Sequence, residues 1–273
     1  MVLIPSLINP PRILDLDPEV SLASAIAKMD RRALLLDWGD AAVRARLSVA
    51  GHVETLLLPL LGSLGGKAAL VGYCLGGTMA LAAANRIPCE GIVTLACPWH
   101  FSRYPAESRS ALREMWRHSE SSAVSFGALP MEVLQAAFWS LDPQRTVRKF
   151  ASFAQLAPES PKARRFVDLE DWANEGDPLP YPAARELIED LFGDDRTGAG
   201  EWRVGGQVVT DRPTAPALHI LAGTDQIAPP ETAPSGDTVT IACGHVGMIV
   251  GSARAELHAV LRAFLDPLAA NAA

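Results

Sequence analysis

The chain has 273 residues, 49% of them hydrophobic and 20% charged, enough to bury one substantial core and carry a sizeable insertion. A formal net charge of −7, with no local Lys/Arg cluster, argues against nucleic acid as a partner. Four cysteines (Cys74, Cys89, Cys97 and Cys243) form no C-x-x-C pair and no metal-ligand spacing with histidine, so no disulfide framework, metal or cofactor is expected. Reduced thiols in a cytoplasmic setting are the simpler reading. The start, MVLIPSLINPPRIL, lacks a basic segment and is broken by Pro5 and Pro10, so it does not read as a signal peptide.

In chain order, short and nearly all-apolar runs at 2–5, 33–37, 68–72, 91–96, 217–222 and 238–241 predict strands buried on both faces of a parallel sheet. Helical periodicity at 20–29, 53–64 and 78–86 separates the first four, which predicts a doubly wound α/β sheet. The uncharged stretch 68–85 is long enough to be weighed as a membrane span. Its three glycines around Cys74 and its β-branched start suit strand, tight turn and helix better, and no membrane span is expected. Between about 101 and 204, helical spacing continues with no convincing strand. Four of the six tryptophans fall there (Trp116, Trp139, Trp172 and Trp202), and they are expected to fill the interior of a helical insert. The expected division is a core of 1–101 with 206–273 and a helical cap or lid of 102–205. The Ala-rich tail, 268–273, reads as frayed.

The segment Gly72-Tyr73-Cys74-Leu75-Gly76 lies between the strand at 68–72 and a helix expected from Gly77. It has the form of the nucleophile elbow of α/β-hydrolases, G-x-S-x-G, with cysteine in place of serine. Glycine is required at 72 and 76 because a Cβ there would enter the neighbouring strand or helix. Cys74 is left at the positive end of a helix, where a thiolate is favoured. Asp225 follows the run 217–222, and His245 follows the run 238–241. That gives the order nucleophile, acid, histidine with all three after strands, whereas His219 lies inside a strand and His52, His118 and His258 on helices. The expected roles are nucleophile for Cys74, proton carrier for His245 and tautomer-fixing acid for Asp225. Two backbone N–H groups should bind the oxyanion, one from Leu75 and one from Leu7 or Ile8 in the loop after the first strand. A thiolate suits thioester chemistry, because exchanging one thioester for another is nearly balanced in free energy.

The segment Leu7-Ile8-Asn9-Pro10-Pro11-Arg12-Ile13-Leu14-Asp15-Leu16-Asp17-Pro18-Glu19 resembles a signature of polyhydroxyalkanoate synthases. Leu34–Gly39, the elbow, Gly244-His245-Val246-Gly247, the insert segment Phe166–Leu191 and the hairpin-like Glu201–Gly206 are similar to the same family, most of all to its class III catalytic subunits. The resemblance implies an α/β-hydrolase fold that lacks the family's N-terminal region and the first strands of its sheet. It implies catalysis by the equivalents of Cys74, Asp225 and His245, 3-hydroxyacyl-CoA thioesters or related esters as substrates, and a homodimer or pairing with a synthase-type subunit. His100, in Cys97-Pro98-Trp99-His100-Phe101, stands where the class III pattern has an acid. The elbow is also similar to that of dienelactone hydrolases, which lack the 9–19 signature and a large helical insert. A non-catalytic, synthase-like partner subunit is the third reading.

Overall fold

In this computed structural model, residues 1–141 and 143–270 are described, without the side chains of 138–146 and 269–270. Along the chain come β1 (Val2–Ile4), β2 (Leu34–Leu35), β3 (Ala69–Tyr73) and β4 (Gly91–Leu95), then two small antiparallel ladders. These pair β5 (Ala128–Leu129) with β6 (Leu179–Pro180), and β7 (Arg203–Val204) with β8 (Gln207–Val208). β9 (Ala217–Ala222) and β10 (Thr238–Ile241) complete the main sheet, whose order is β10-β9-β4-β3-β1-β2 with every neighbouring pair parallel. The register runs straight across, with Val2 beside Leu70, Leu70 beside Ile92 and Ile92 beside Ala217. Alternate residues feed two apolar layers. Val2, Ile4, Leu70 and Ile92 pack into one, and Leu3, Val71, Val93 and Leu95 into the other. A sheet covered on both sides explains why these strands read as continuous apolar runs.

The helices are α1 (Leu22–Ala27), α2 (Val49–His52), α3 (Leu58–Ser63), α4 (Leu75–Ala84), α5 (Ala106–Phe126), α6 (Met131–Leu141), α7 (Pro143–Phe153), α8 (Pro161–Asn174), α9 (Tyr181–Arg185), α10 (Gly247–Val250) and α11 (Arg254–Ala270). A π-helical turn, Val53–Leu57, joins α2 to α3. All ten residues of α4 are buried, and its glycines and alanines let it lie close against β3 and β1. A Cβ at Gly76 would run into the carbonyl oxygens of Ile4 and Pro5, and one at Gly72 would stand 2.5 Å from the Gly76 oxygen. Among the described residues, no helix is long and apolar enough to cross a membrane.

Three expectations change. The helix expected from Gly77 or Thr78 begins at Leu75, because Cys74 itself makes the whole strand-to-helix turn. The 101–204 region contains both small ladders, at least in part; strands of two residues are too short to show alternation. The β7–β8 turn has Gly205 and Gly206, both at positive φ, as a two-residue hairpin demands. The tail expected to fray carries α11 on to Ala270, and 271–273 lie outside the described residues. Trp116, Trp172 and Trp202 are buried, each donating its indole N–H: to Glu189 (2.9 Å), to the Pro10 carbonyl (2.9 Å) and to Glu186 (2.7 Å) respectively. The Trp139 side chain lies outside the described residues.

His52 on α2 is fully buried. Its Nδ1–H donates to the Ser48 carbonyl (2.7 Å), which leaves Nε2 to accept from Arg44 (3.3 Å). Burial, with the Arg44 charge, pushes its pKa down to about 4 against the pull of the Ser48 bond. The unfolded chain binds this proton below about pH 6.5 and the folded chain only near 4, so the contribution is present at neutral pH and is lost as pH falls through that window. At about 1.4 kcal/mol per pH unit it is worth about 3 kcal/mol. In His52→Gln, the difference between unfolding free energies measured at pH 7 and pH 4.5 should shrink by roughly that amount; an unchanged difference would show that His52 is not the acid-sensitive group.

Candidate active site

The carboxyl ends of the parallel strands meet along one edge, and the residues singled out from the sequence stand there. β3 ends at Tyr73 and delivers Cys74, β9 leads into Asp225, β10 leads into His245, and β1 opens into the 5–10 loop. Cys74 sits at φ 55°, ψ −130°, a conformation that a residue with a Cβ holds only when its surroundings enforce it. The surroundings do so. Its N–H donates to the Leu95 carbonyl (2.9 Å), its carbonyl accepts from the Gly77 N–H (2.8 Å), and the two glycine contacts leave no room for another path.

Asp225 and His245 are brought together. His245 Nδ1–H donates to Asp225 Oδ2 at 2.6 Å, with both residues buried. The other carboxylate oxygen, Oδ1, accepts the N–H groups of Ile227 (2.8 Å) and Ala228 (3.1 Å), which fix the acid's orientation. Burial opposes a charged ring at His245, but the negative charges of Cys74 and Asp225 and hydrogen bonds to both outweigh it, raising its pKa to about 10. Cys74 and His245 both border a cavity of about 690 Å³, and Asp225 stands behind the histidine. Of Leu7 and Ile8, it is Ile8 that borders the cavity, its N–H donated to Ser6 Oγ at a long 3.3 Å; the Leu7 side chain is buried in the core.

Several contributors had no signal in the sequence pattern. The Tyr73 ring lies 4.9 Å from the His245 ring and its hydroxyl donates to the His245 carbonyl (3.4 Å). Tyr104 donates to the Ile227 carbonyl (2.9 Å), two residues beyond Asp225. Burial, followed by the charges of Cys74 and Asp225, holds both phenols in the neutral form. Residues of the region between β4 and β9, Phe166, Leu169 and Trp172 among them, form one wall of the cavity, and hydrogen bonds and ion pairs tie that wall to the 9–19 segment. Asn9 Nδ2 donates to the Ala173 carbonyl (3.3 Å), Arg12 pairs with Glu175 (2.7 Å), and Arg165 of α8 pairs with Glu19 (2.7 Å). The 9–19 segment is thus the seat on which α8 rests. His100, which stands where an acid was anticipated by resemblance, faces one instead, with Nε2 3.4 Å from Asp211.

Apolar walls come from Ile13, Phe166, Leu169, Trp172, Val246 and Val250. The charged lining is Lys149, Lys162, Arg165 and Arg254 against Glu170 alone, besides His245. Lys149 is paired to Glu170 (2.8 Å), whereas Lys162 and Arg254 have no carboxylate partner among the described residues. In a chain of net charge −7 this is a locally basic cavity.

A parallel sheet with an elbow after one central strand, and with an acid and a histidine after later ones, has the layout of the α/β-hydrolase fold. Solved structures agree on the fold. A hydrolase from Pseudomonas aeruginosa superposes with a TM-score of 0.58 at 16% identity, covering 97% of this chain and 88% of the other. Within that class the chain is similar to poly(3-hydroxyalkanoate) polymerase subunits. It is 26% identical over 276 residues to the poly(3-hydroxyalkanoate) polymerase subunit PhaC of Haloferax mediterranei, covering 92% of this chain and 55% of that one. It is 24% identical over 289 residues to the subunit of the same name from Allochromatium vinosum, covering 97% and 80%. The chain therefore spans about half the length of the first of these relatives. No family model matches it.

Proposed function

We propose that the chain is a cysteine-dependent acyltransferase or hydrolase that carries 3-hydroxyacyl groups from thioesters on Cys74. The observation behind this reading is His245, bonded to Asp225 through one nitrogen, with Cys74 acting on the same ring beneath a largely apolar cavity with basic residues in its wall. The apolar wall suits a short acyl chain, and the unpaired cations suit a thioester whose leaving group is anionic, as an acyl-CoA is. In the forward step Cys74 Sγ attacks the thioester carbonyl, and the N–H of Leu75 with a second N–H from the loop after β1, at Leu7 or Ile8, receives the oxyanion. The tetrahedral intermediate collapses by breaking the carbon–sulfur bond to the leaving thiolate, which takes the proton of the His245 imidazolium. Neutral His245 then removes the proton of an incoming hydroxyl or water as that oxygen attacks the Cys74 thioester, and the Cys74 thiolate is released. Asp225 keeps the ring in the tautomer that makes both transfers possible.

Intact-mass measurement after brief exposure to 3-hydroxybutyryl-CoA tests the reading. A ladder of adducts means chain growth, and one transient adduct with steady CoA release means a thioesterase or a single transfer. Absence of any adduct, with turnover of small lactones instead, overturns thioester chemistry in favour of a lactone hydrolase.

A further inference from the structure

A second cavity, of about 520 Å³, lies in the groove between α1 and α11. Ser252 and Arg254 border both this groove and the reaction cavity, so the two share a wall. Its charged lining is one-sided. Lys28 comes from the end of α1, and Arg254, His258 and Arg262 come from α11 at intervals of four residues, on one face of the helix. The opposing acid is Glu19, already bonded to Arg165 at 2.7 Å. Lys28, Arg254 and Arg262 have no carboxylate partner among the described residues. Arg254 and Arg262 spend N–H groups on the carbonyls of Gly251 (2.9 Å) and Lys28 (3.5 Å). His258 Nε2 is buried and has no hydrogen-bond partner among the described residues. Burial, then the charges of Arg254 and Lys28, push the His258 pKa down.

Like charges held together in a protein of net charge −7 repel one another, and an orphaned ring nitrogen costs desolvation energy. A polyvalent anion reverses both costs. At 1.5 Å of rise per residue, Arg254 and Arg262 stand about 12 Å apart along the helix, wider than one phosphate and suited to two. Arginine forks and a lysine are the groups that hold phosphate oxygens. We propose that the α1–α11 groove binds a phosphoanion bearing two phosphoryl groups, through Lys28, Arg254, His258 and Arg262. The shared wall lets that anion be the phosphorylated end of the thioester substrate, which rests on the function proposed above; a free diphosphate has the same chemistry.

The test uses Lys28→Ala/Arg262→Ala. Both side chains are exposed, so the double variant is expected to fold. Binding of adenosine 3′,5′-bisphosphate and of inorganic pyrophosphate is measured by calorimetry at low ionic strength, and the variant is expected to bind at least about tenfold more weakly than the wild type. Acylation of Cys74 is then compared using one acyl group on CoA and on N-acetylcysteamine, which carries no phosphate. A KM raised about tenfold for the CoA thioester alone identifies the substrate's tail as the source. Loss of pyrophosphate binding with both acylations unchanged identifies a free phosphoanion. Loss of anion binding when neither thioester acylates wild-type Cys74 retains the groove and removes the thioester function. Equal binding by wild type and variant, or no binding by either, overturns the groove as a phosphoanion site.

Discussion

Replacing Cys74 by alanine is expected to lower kcat/KM for a 3-hydroxyacyl thioester by at least about 10⁴-fold, roughly 5 kcal/mol of transition-state stabilisation. Alanine leaves the oxyanion donors and the cavity in place but supplies no atom to carry the acyl group, so any remaining rate comes from positioned water. The fold should be indifferent. The elbow is set by the Cys74 N–H to Leu95 and by the glycine contacts at 72 and 76, none of which involves the thiol. Cys74 packs only partly against the apolar layer, so little packing is lost, but its charge is one of the interactions that raise the His245 pKa, and the unfolding free energy at pH 7 should fall modestly with the fold retained. Cys74→Ser separates thiolate chemistry from nucleophile placement. Its hydroxyl sits on the same elbow, but it stays neutral beside His245 and should restore only a small fraction of the lost rate. Activity near the wild-type level in Cys74→Ala, with correct folding by circular dichroism, would remove Cys74 from the mechanism.

How much of this was legible in the sequence depended on how local each cause is. Strands β3, β4 and β9 stand out as nearly continuous apolar runs because both faces are buried, the exceptions Thr94 and His219 satisfying each other at 2.8 Å, and the glycines at 72 and 76 betray a turn that backbone contacts enforce. Asp225 and His245 could be picked out because each directly follows a strand of that sheet; that their side chains lie 2.6 Å apart depends on β9 and β10 being parallel neighbours, which no single run of residues states. Helix α4 starts earlier than propensity alone predicts, because Gly76 and Gly77 are poor helix formers. Close packing against β1 overrides that preference, since only a residue without a Cβ fits there. The contacts that Tyr73, Tyr104 and Trp172 make at the site left no pattern. Each reaches a partner that is distant in sequence, 172, 123 and 162 residues away, and only the assembled sheet edge joins them. The α1–α11 groove was hidden for a related reason. Lys28 and the α11 cations look like ordinary solvated charges until the helices are seen to pack side by side.

Asp225→Asn is expected to cost about as much, roughly 10⁴-fold in kcat, with the cavity geometry preserved. The amide oxygen of asparagine can go on accepting from Ile227 and Ala228, which places its NH₂ toward His245 Nδ1. Donor then faces donor, and the ring is driven to the tautomer with its proton on the Cys74 side, where it cannot act as a base. The pH dependence gives the independent check. In the wild type, burial lowers the His245 pKa while Cys74 and Asp225 raise it further than burial lowers it, to about 10. The imidazolium that protonates the leaving thiolate therefore persists up to that pH, and acylation should fall as pH rises through it. Removing the Asp225 charge removes one of the two raising interactions, so the alkaline limb must shift to lower pH in the variant. Stability follows the same sign. A folded-state pKa above the unfolded value of about 6.5 stabilises fully below that value and is lost as pH climbs toward 10. Wild-type unfolding free energy should therefore decline between pH 7 and pH 10, and the Asn variant, starting lower, should decline less. A loss of kcat with no shift in the alkaline limb would mean that Asp225 holds the loop rather than the ring.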